Sequence, residues 1–422
     1  MSRLHPYPAM VADDLARSLA DQHVEPGARV LDPFCGSGRL LAASENASVR
    51  VGLDMNPLAC LMTRAKLANA SADLIDEVLS GLAHGRQAST GERLIVTDRK
   101  VDWFAPGTLD QLGRLVSWIN GLRLAEPEAL VVAAALSATV REVSFARQSG
   151  WKLHRLGVAA RDALVACAWT RLERRLRYCL SELRKSPSVQ GRTRILLADA
   201  RRPIAPTGGP EVAQKFDVVL TSPPYGDSRT TVQYGAASAL CLSVVSRLNG
   251  FEGLSTTGAV VDRNCLGGQR RTGLDMAIDP YWSGRPASWE GRLVDRFMAD
   301  YDESCKAIAG TLVAGGKAVF VVGCRSVGGH RLALDRFTTE RLEAYGMYLV
   351  SSAVRPLNKK RIPGRINRFG GSRDETERAR GVIATMEGET ILVLRKGPLR
   401  ATDTGLPMPL PGIDGASARR SA

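Results

Sequence analysis

The sequence predicts an α/β protein built on an open, doubly wound sheet, and three observations carry that expectation. A short apolar run, Ala28–Leu31 (ARVL), feeds the loop Asp32–Gly38 (DPFCGSG), a helical stretch follows, and a second apolar run from Val49 ends on Asp54. Strand, glycine loop, helix, strand and acidic residue is how such sheets open. The same grammar returns at Arg194–Leu197 (RILL) and Phe216–Leu220 (FDVVL), while the text between the two blocks is helical in pattern.

In chain order, apolar positions recur at helical spacing from Met10 to Leu19, and Pro26-Gly27 ends that element. Arg39–Ser44 resumes helical character after the glycine loop. Ala72–Leu82, Leu109–Leu122, Pro127–Phe145 and Arg161–Lys185 each place apolar residues at i, i+3 and i+4, with Arg93–Val96 the one candidate strand among them. The run Leu130–Val140 is too short to span a bilayer and reads as a buried helix. Gly315–Gly323 reads as a turn and strand, and Thr390–Leu394 as a terminal strand. From Tyr225 to about Trp289 periodicity is weak, so a long functional loop is expected there. The Pro-, Gly- and Ser-rich stretch 398–422 is expected to be disordered. These boundaries divide the chain into 1–60, a helical insertion over 61–191, then 192–245, 246–299, 300–397 and a tail over 398–422.

A net charge of +14 over 422 residues favours polyanionic partners, nucleic acid first among them. Two basic segments are candidate phosphate-contacting surfaces: Arg171, Arg174, Arg175, Arg177, Arg184 and Lys185 on the last helix of the insertion, and Arg355–Arg368, which has no acid and is a candidate clamp on a nucleic-acid backbone. The eight cysteines form no CxxC pair and the five histidines lie far apart, so reduced thiols and no structural zinc are expected. The amino terminus lacks the pattern of a secretory signal, which places the expected location in the cytoplasm, away from any membrane.

Two loops carry the chemistry. In DPFCGSG, small residues let a ligand approach the backbone at a strand-to-helix turn. A phosphate-binding P-loop needs GxxxxGK[ST], which is absent, and a dinucleotide fingerprint needs a third glycine where Leu41 stands. A third reading is a pocket for S-adenosylmethionine, with Asp32 near an amino group and Asp54 on ribose hydroxyls; the second role suits any ribose-bearing cofactor, so the loop alone leaves the readings open. The other loop follows Leu220 and reads TSPPYGDS. A Pro-Pro pair cannot continue a central strand, so it makes a rigid shelf at a carboxyl end. Ser222 and the carbonyl of Pro223 offer acceptors to an amine, Pro224 helps fix their direction, and Tyr225 offers a stacking face.

Taken together, DPFCGSG, Asp54, the LADA segment with Asp199 and TSPPYGDS resemble the ordered motifs of the amino-group DNA methyltransferases, closest to the cytosine-N4 enzymes of restriction-modification systems. The resemblance covers about half the chain: residues 5–60, 192–245 and 310–396. It implies a Rossmann-like class I methyltransferase sheet carrying a large helical insertion, with S-adenosyl-L-methionine as cofactor. By this resemblance Asp32, Pro33, Phe34, Gly36 and Gly38 line the methionine side, Asp54 binds ribose, Asp199 sits near adenine, and the His5–Pro8 segment closes over the cofactor. Ser222, Pro223, Pro224 and Tyr225 would hold a base flipped out of duplex DNA. Ser at the first motif position leans toward cytosine N4, with adenine N6 or RNA as the alternative and a non-catalytic nucleic-acid binder as a third reading. Methylation at cytosine C5 is excluded because no cysteine follows a proline. A partner restriction nuclease is compatible with the resemblance. Target recognition falls to either the helical insertion, including Arg141–Arg147 and Trp151–Arg155, or the 250–289 segment, and Arg229 and Tyr234 are candidate contacts to phosphate or to the flipped strand.

Overall fold

The structure, a computed structural model, describes residues 4–5, 7, 10–90, 94, 102–148, 151–164, 166–185, 189–202, 215–226, 234–254, 256–268, 280–282, 289–323, 326–327, 330–356, 365–367, 382–384 and 388–397. Seven strands form the central sheet: β1 (Arg29–Asp32), β2 (Val49–Asp54), β3 (Arg192–Leu197), β4 (Phe216–Thr221), β5 (Leu312–Gly323), β6 (Met347–Pro356) and β7 (Gly388–Lys396). Their order is β3-β2-β1-β4-β5-β7-β6. The first five run parallel, and β7 inserts antiparallel between β5 and β6. That order, with one reversed strand near an edge, is the Rossmann-like sheet of the class I methyltransferases, and helical segments are added outside it.

Period-two alternation explains how two helical layers grip this sheet. Val30, Val218, Leu220, Val319 and Val393 face α1 (Asp13–His23) and α2 (Arg39–Ala43), meeting Leu15, Leu19, Leu40 and Leu41. Their sequence neighbours Leu31, Val219, Phe320 and Leu394 face the other way. There they pack on Val294, Phe297 and Tyr301 of α11 (Trp289–Thr311) and on Phe337 and Leu342 of α12 (Leu334–Ala344). Burying each such side chain contributes about 1.5–3 kcal/mol, which fixes strand register because a slip of one residue exchanges the faces.

The remaining helices build a separate core beside the sheet. It is formed by α3 (Pro57–Leu67), α4 (Ala72–Ala88), α5 (Pro106–Gly121), α6 (Glu126–Val143), α8 (Ala168–Leu183) and α9 (Tyr234–Val245). Two short helices complete the set, α7 (Val158–Asp162) and α10 (Gly258–Asn264). Asn56 starts α3 by accepting a hydrogen bond from the Leu58 amide at 3.1 Å, with Pro57 at the first helical position. The α6 run from Leu130 to Val140 is entirely buried.

The 225–289 segment departs from the expected loop, because α9 and α10 lie within it. Helix α9 is apolar on every side and wedged among α3, α6 and α10, so it has no polar face to give its sequence a 3.6-residue rhythm. Gly235 and Gly258 meet where α9 and α10 touch; a Cβ on Gly235 would sit 2.0 Å from the Gly258 carbonyl oxygen. Strand β6 has no counterpart among the expected elements; as an edge strand it is half exposed, and its sequence lacks a continuous apolar run.

The basic face of α8 is largely engaged by neighbouring carboxylates. Arg174 and Arg175 both pair with Glu142, Arg177 with Glu173, Arg184 with Asp76 and Lys185 with Glu182. Exposed pairs of this kind are worth little, so polyanions can compete for the outer arginines, but Arg175 is spoken for because it also donates to the Leu4 carbonyl. Most of the Arg355–Arg368 stretch, the Arg93–Val96 candidate strand apart from Leu94, and the tail fall outside the described residues, as does Arg229. No helix among the described residues is long and apolar enough to cross a membrane.

Candidate active site

The strand order reverses between β1 and β4, which pair at Val30 with Val218 and at Leu31 with Val219. Open α/β sheets bind ligands at such a switch point, beyond the carboxyl ends of the strands. Here the two chemically loaded loops leave adjacent strands in the same direction. They are also joined directly: Thr221, last residue of β4, donates from Oγ1 to Asp32 Oδ1 at 2.6 Å.

Asp32 is 2 % exposed and also accepts from the Phe34 amide at 3.1 Å. Burial pushes its carboxyl up to about 7, against the opposing hydrogen bonds from Thr221 and Phe34. Asp54, ending β2, accepts from the Gly36 amide at 2.9 Å and from the Asn56 amide at 2.8 Å. Burial raises it as well, to about 6. Among the described residues neither carboxylate has a cationic partner. A buried acid beside a half-buried one, with no counter-charge, is costly, and a ligand bringing positive charge and hydroxyl donors would offset that cost.

The glycine loop is shaped for close approach. Gly36 and Gly38 adopt left-handed conformations, φ +50° and +72°. Thr63 of α3 donates to the Gly36 carbonyl at 2.9 Å, and half-buried Lys66 donates to the Ser37 carbonyl. A Cβ on Gly38 would fall 2.6 Å from Thr63 Cγ2. Gly38→Ala therefore combines backbone strain with a clash, and a loss of about 1–3 kcal/mol in unfolding free energy is expected by denaturant titration; an unchanged midpoint contradicts this account of the loop.

An aromatic group caps the loop. Tyr7 lies 3.5 Å from where a Gly36 Cβ would be, and its hydroxyl accepts from Asn56 Nδ2 at 3.3 Å. Its ring meets Trp151 edge-on at 5.3 Å and Tyr234 at 5.8 Å. The same Asn56 amide donates to Ser238 of α9 at 2.9 Å. The helical core thus reaches the glycine loop through Trp151, Tyr234 and Ser238; Tyr234, expected as a nucleic-acid contact, here packs on the Tyr7 ring, and Ser238 lies in no motif. Asn56 has two tasks, capping α3 through its side-chain oxygen and joining Tyr7 to Ser238 through its side-chain nitrogen.

On the shelf, Ser222 Oγ and Tyr225 Oη lie 3.0 Å apart, and Tyr225 donates to Glu389 Oε1 at 3.3 Å. Glu389, second residue of β7, faces Arg355 of β6 in register and pairs with it at 3.7 Å. Arg355 also reaches Asp14 at 3.3 Å, so its charge is engaged internally and is withdrawn from the proposed backbone clamp. The Tyr225 ring is partly buried against the α11 and α12 core, where Phe34 also packs. Burial and the nearby Glu389 raise its phenol above the ordinary range.

Asp199 differs from the other two acids. Arg201 chelates both its oxygens, at 2.7–3.0 Å, and bridges to Asp300 of α11 at 2.7 Å. Burial raises the Asp199 carboxyl, but the Arg201 hydrogen bonds outweigh it and hold the group below the usual range. Asp199 follows Ala198, whose amide donates to the Asp54 carbonyl at 3.2 Å, so it stands beside the Asp54 end of the pocket with its charge already balanced.

The fold is that of the S-adenosylmethionine-dependent class I methyltransferases. Within that class the chain is distantly related to the type II methyltransferase M.MvaI of Kocuria varians, with 27% identity over 424 residues, 93% of this chain and 90% of that protein. No protein-family model matches. Among solved structures, TrmN from Thermus thermophilus aligns at TM-score 0.30 and 12% identity, over 92% of this chain and 49% of that one. The rRNA methyltransferase aviRa from Streptomyces viridochromogenes aligns at 0.29 and 14%, over 75% and 77%. This chain therefore spans about half the length of TrmN.

Proposed function

We propose that this chain transfers a methyl group from S-adenosylmethionine to the exocyclic N4 amine of cytosine in duplex DNA. The observation that carries the reading is a pair of carboxylates without a cationic partner among the described residues, buried Asp32 and half-buried Asp54, with Asp32 tied through Thr221 to the serine-proline shelf. Asp32 would meet the ammonium of the methionine portion and Asp54 the ribose hydroxyls. Gly36, under Tyr7, and Gly38, against Thr63, give the loop the left-handed turn that sets it beside both acids. When bound, the cofactor supplies a methyl group made electrophilic by its sulfonium.

The chain's own residues supply orientation and the exclusion of water. An exocyclic base amine is a poor nucleophile because its lone pair is delocalised into the ring. Ser222 Oγ and the Pro223 carbonyl accept its N–H bonds and aim the lone pair out of the ring plane. The Tyr225 ring stacks on a base taken out of the duplex; such stacking is worth ~1–3 kcal/mol, against an extrusion cost of a few. The net charge of +14 supports a polyanionic substrate, and the relative's description as a type II methyltransferase supports the transferase reading. Serine at position 222 supports cytosine over adenine. Labelled methyl transfer to duplex DNA, single-stranded DNA and RNA tests the substrate class. Incorporation into duplex DNA is expected, and label confined to RNA rejects the reading.

The two acids also set a pH dependence. Their folded values, about 7 and about 6, lie above ordinary carboxyl values, so the cofactor-free fold binds more protons than the unfolded chain. Stability therefore falls as pH rises from about 4 to about 7 on their account. A cationic ligand favours their ionised forms, so its affinity rises over the same window and binding releases protons. Thermal melts at about pH 5.5 and 8 are expected to show a larger cofactor-induced shift at the higher pH; an equal shift contradicts the pairing.

A further inference from the structure

We propose that Glu389 is a positioning residue that fixes the direction of the hydrogen-bond chain ending at Ser222, keeping the Ser222 hydroxyl an acceptor toward the substrate amine. The inference rests on the function proposed above and names a residue outside its motifs.

A serine hydroxyl has one proton to give and two lone pairs to accept with. If that proton points at the incoming amine, Ser222 meets N–H with O–H and repels it. What decides is where the chain of hydroxyls ends. Tyr225 Oη has a single proton, and it is donated to Glu389 Oε1 at 3.3 Å. Its contact with Ser222 Oγ at 3.0 Å must then be one in which the serine donates. The Ser222 proton is therefore directed away from the shelf, and its lone pairs are left for the amine.

Glu389 suits this task because an ionised carboxylate can only accept. It is 7 % exposed, and its second oxygen faces Arg355 on the neighbouring strand. Burial raises its carboxyl, while Arg355 opposes the rise and favours the charged form. Asp14, beyond Arg355, completes the charge alternation from α1 across the β6–β7 edge to the shelf. Nothing in a one-dimensional reading links Glu389 to Ser222, since 164 positions separate it from Tyr225.

Glu389→Gln tests the proposal with nearly unchanged volume. Arg355 draws the amide oxygen, which leaves the amide N–H₂ facing Tyr225 and turns the chain around. Single-turnover methyl transfer to duplex DNA is expected to fall at least about 10-fold, the scale of one hydrogen bond to a charged group. Affinities for S-adenosylmethionine and for DNA, measured by titration, are expected to hold. Tyr225→Phe keeps the ring and the Glu389–Arg355 pair but breaks the chain, and is expected to show a fall of similar size. Adding Glu389→Gln to Tyr225→Phe should then cost nothing further, because Glu389 acts only through that hydroxyl. Multiplying effects in the double variant, or a wild-type rate in Glu389→Gln, overturns the proposal. If Glu389→Gln fails to fold, a wild-type rate in Tyr225→Phe overturns it alone. A wild-type protein that methylates no DNA instead rejects the underlying function, a result these variants do not produce.

Discussion

Asp54→Ala is expected to weaken S-adenosylmethionine binding by at least about 100-fold, measured by calorimetric titration, while the chain stays folded. The side chain does two things at once. Its oxygens hold the amides of Gly36 and Asn56, at 2.9 and 2.8 Å, and so join the glycine loop to the start of α3. It is also a half-buried acceptor, without a cationic partner among the described residues, that ribose hydroxyls would satisfy. Hydrogen bonds to a charged group are worth about 1.5–3 kcal/mol each, and losing two of them on the ligand side reaches that factor. Fold integrity is secured by β2 pairing with β1 and β3, which does not involve the carboxylate. Binding at wild-type strength contradicts the placement of the ribose.

Tyr225→Ala is expected to lower methyl transfer by at least about 100-fold with cofactor affinity unchanged, because it removes both the stacking face and the hydroxyl between Ser222 and Glu389. The two contributions separate with Tyr225→Phe, which restores stacking alone. Rates in the order wild type, Phe, Ala are expected in single-turnover assays, and an unchanged rate in Tyr225→Ala removes the tyrosine from the site.

The parts of this site that were legible in the sequence are those fixed by local covalent geometry. DPFCGSG announces a turn that needs left-handed backbone, and Gly36 and Gly38 adopt it. SPPY announces a strand that must stop, and β4 stops at Thr221. The contacts that hold these loops in place are long-range and leave no local trace. Thr221 reaches Asp32 across 189 positions, and Ser238 reaches Asn56 across 182. Helix α9 was hidden for the opposite reason, since burial of most of its surface and apolar or small residues all round erase the periodicity by which helices are read. Asp199 shows a third limit. Its motif position marked it as a ligand-binding acid, whereas the side chain is balanced by Arg201 two residues on, and that arginine by Asp300 on a distant helix.

Charge illustrates the same point at the surface. The arginines of α8 stand out when the helix is read alone, yet Glu142 on α6 and Asp76 on α4 answer three of them. The net positive balance of the chain remains, and it predicts that affinity for DNA falls steeply with added salt.

The central claim is that the shelf beside Asp32 holds a cytosine amine for methyl transfer. Base-resolution mapping of modified bases in DNA from cells expressing the chain tests it most directly, because it reports polymer, base and sequence context together. N4-methylcytosine confined to one short sequence motif is the predicted result. N6-methyladenine without N4-methylcytosine, or DNA left unmodified, would contradict it.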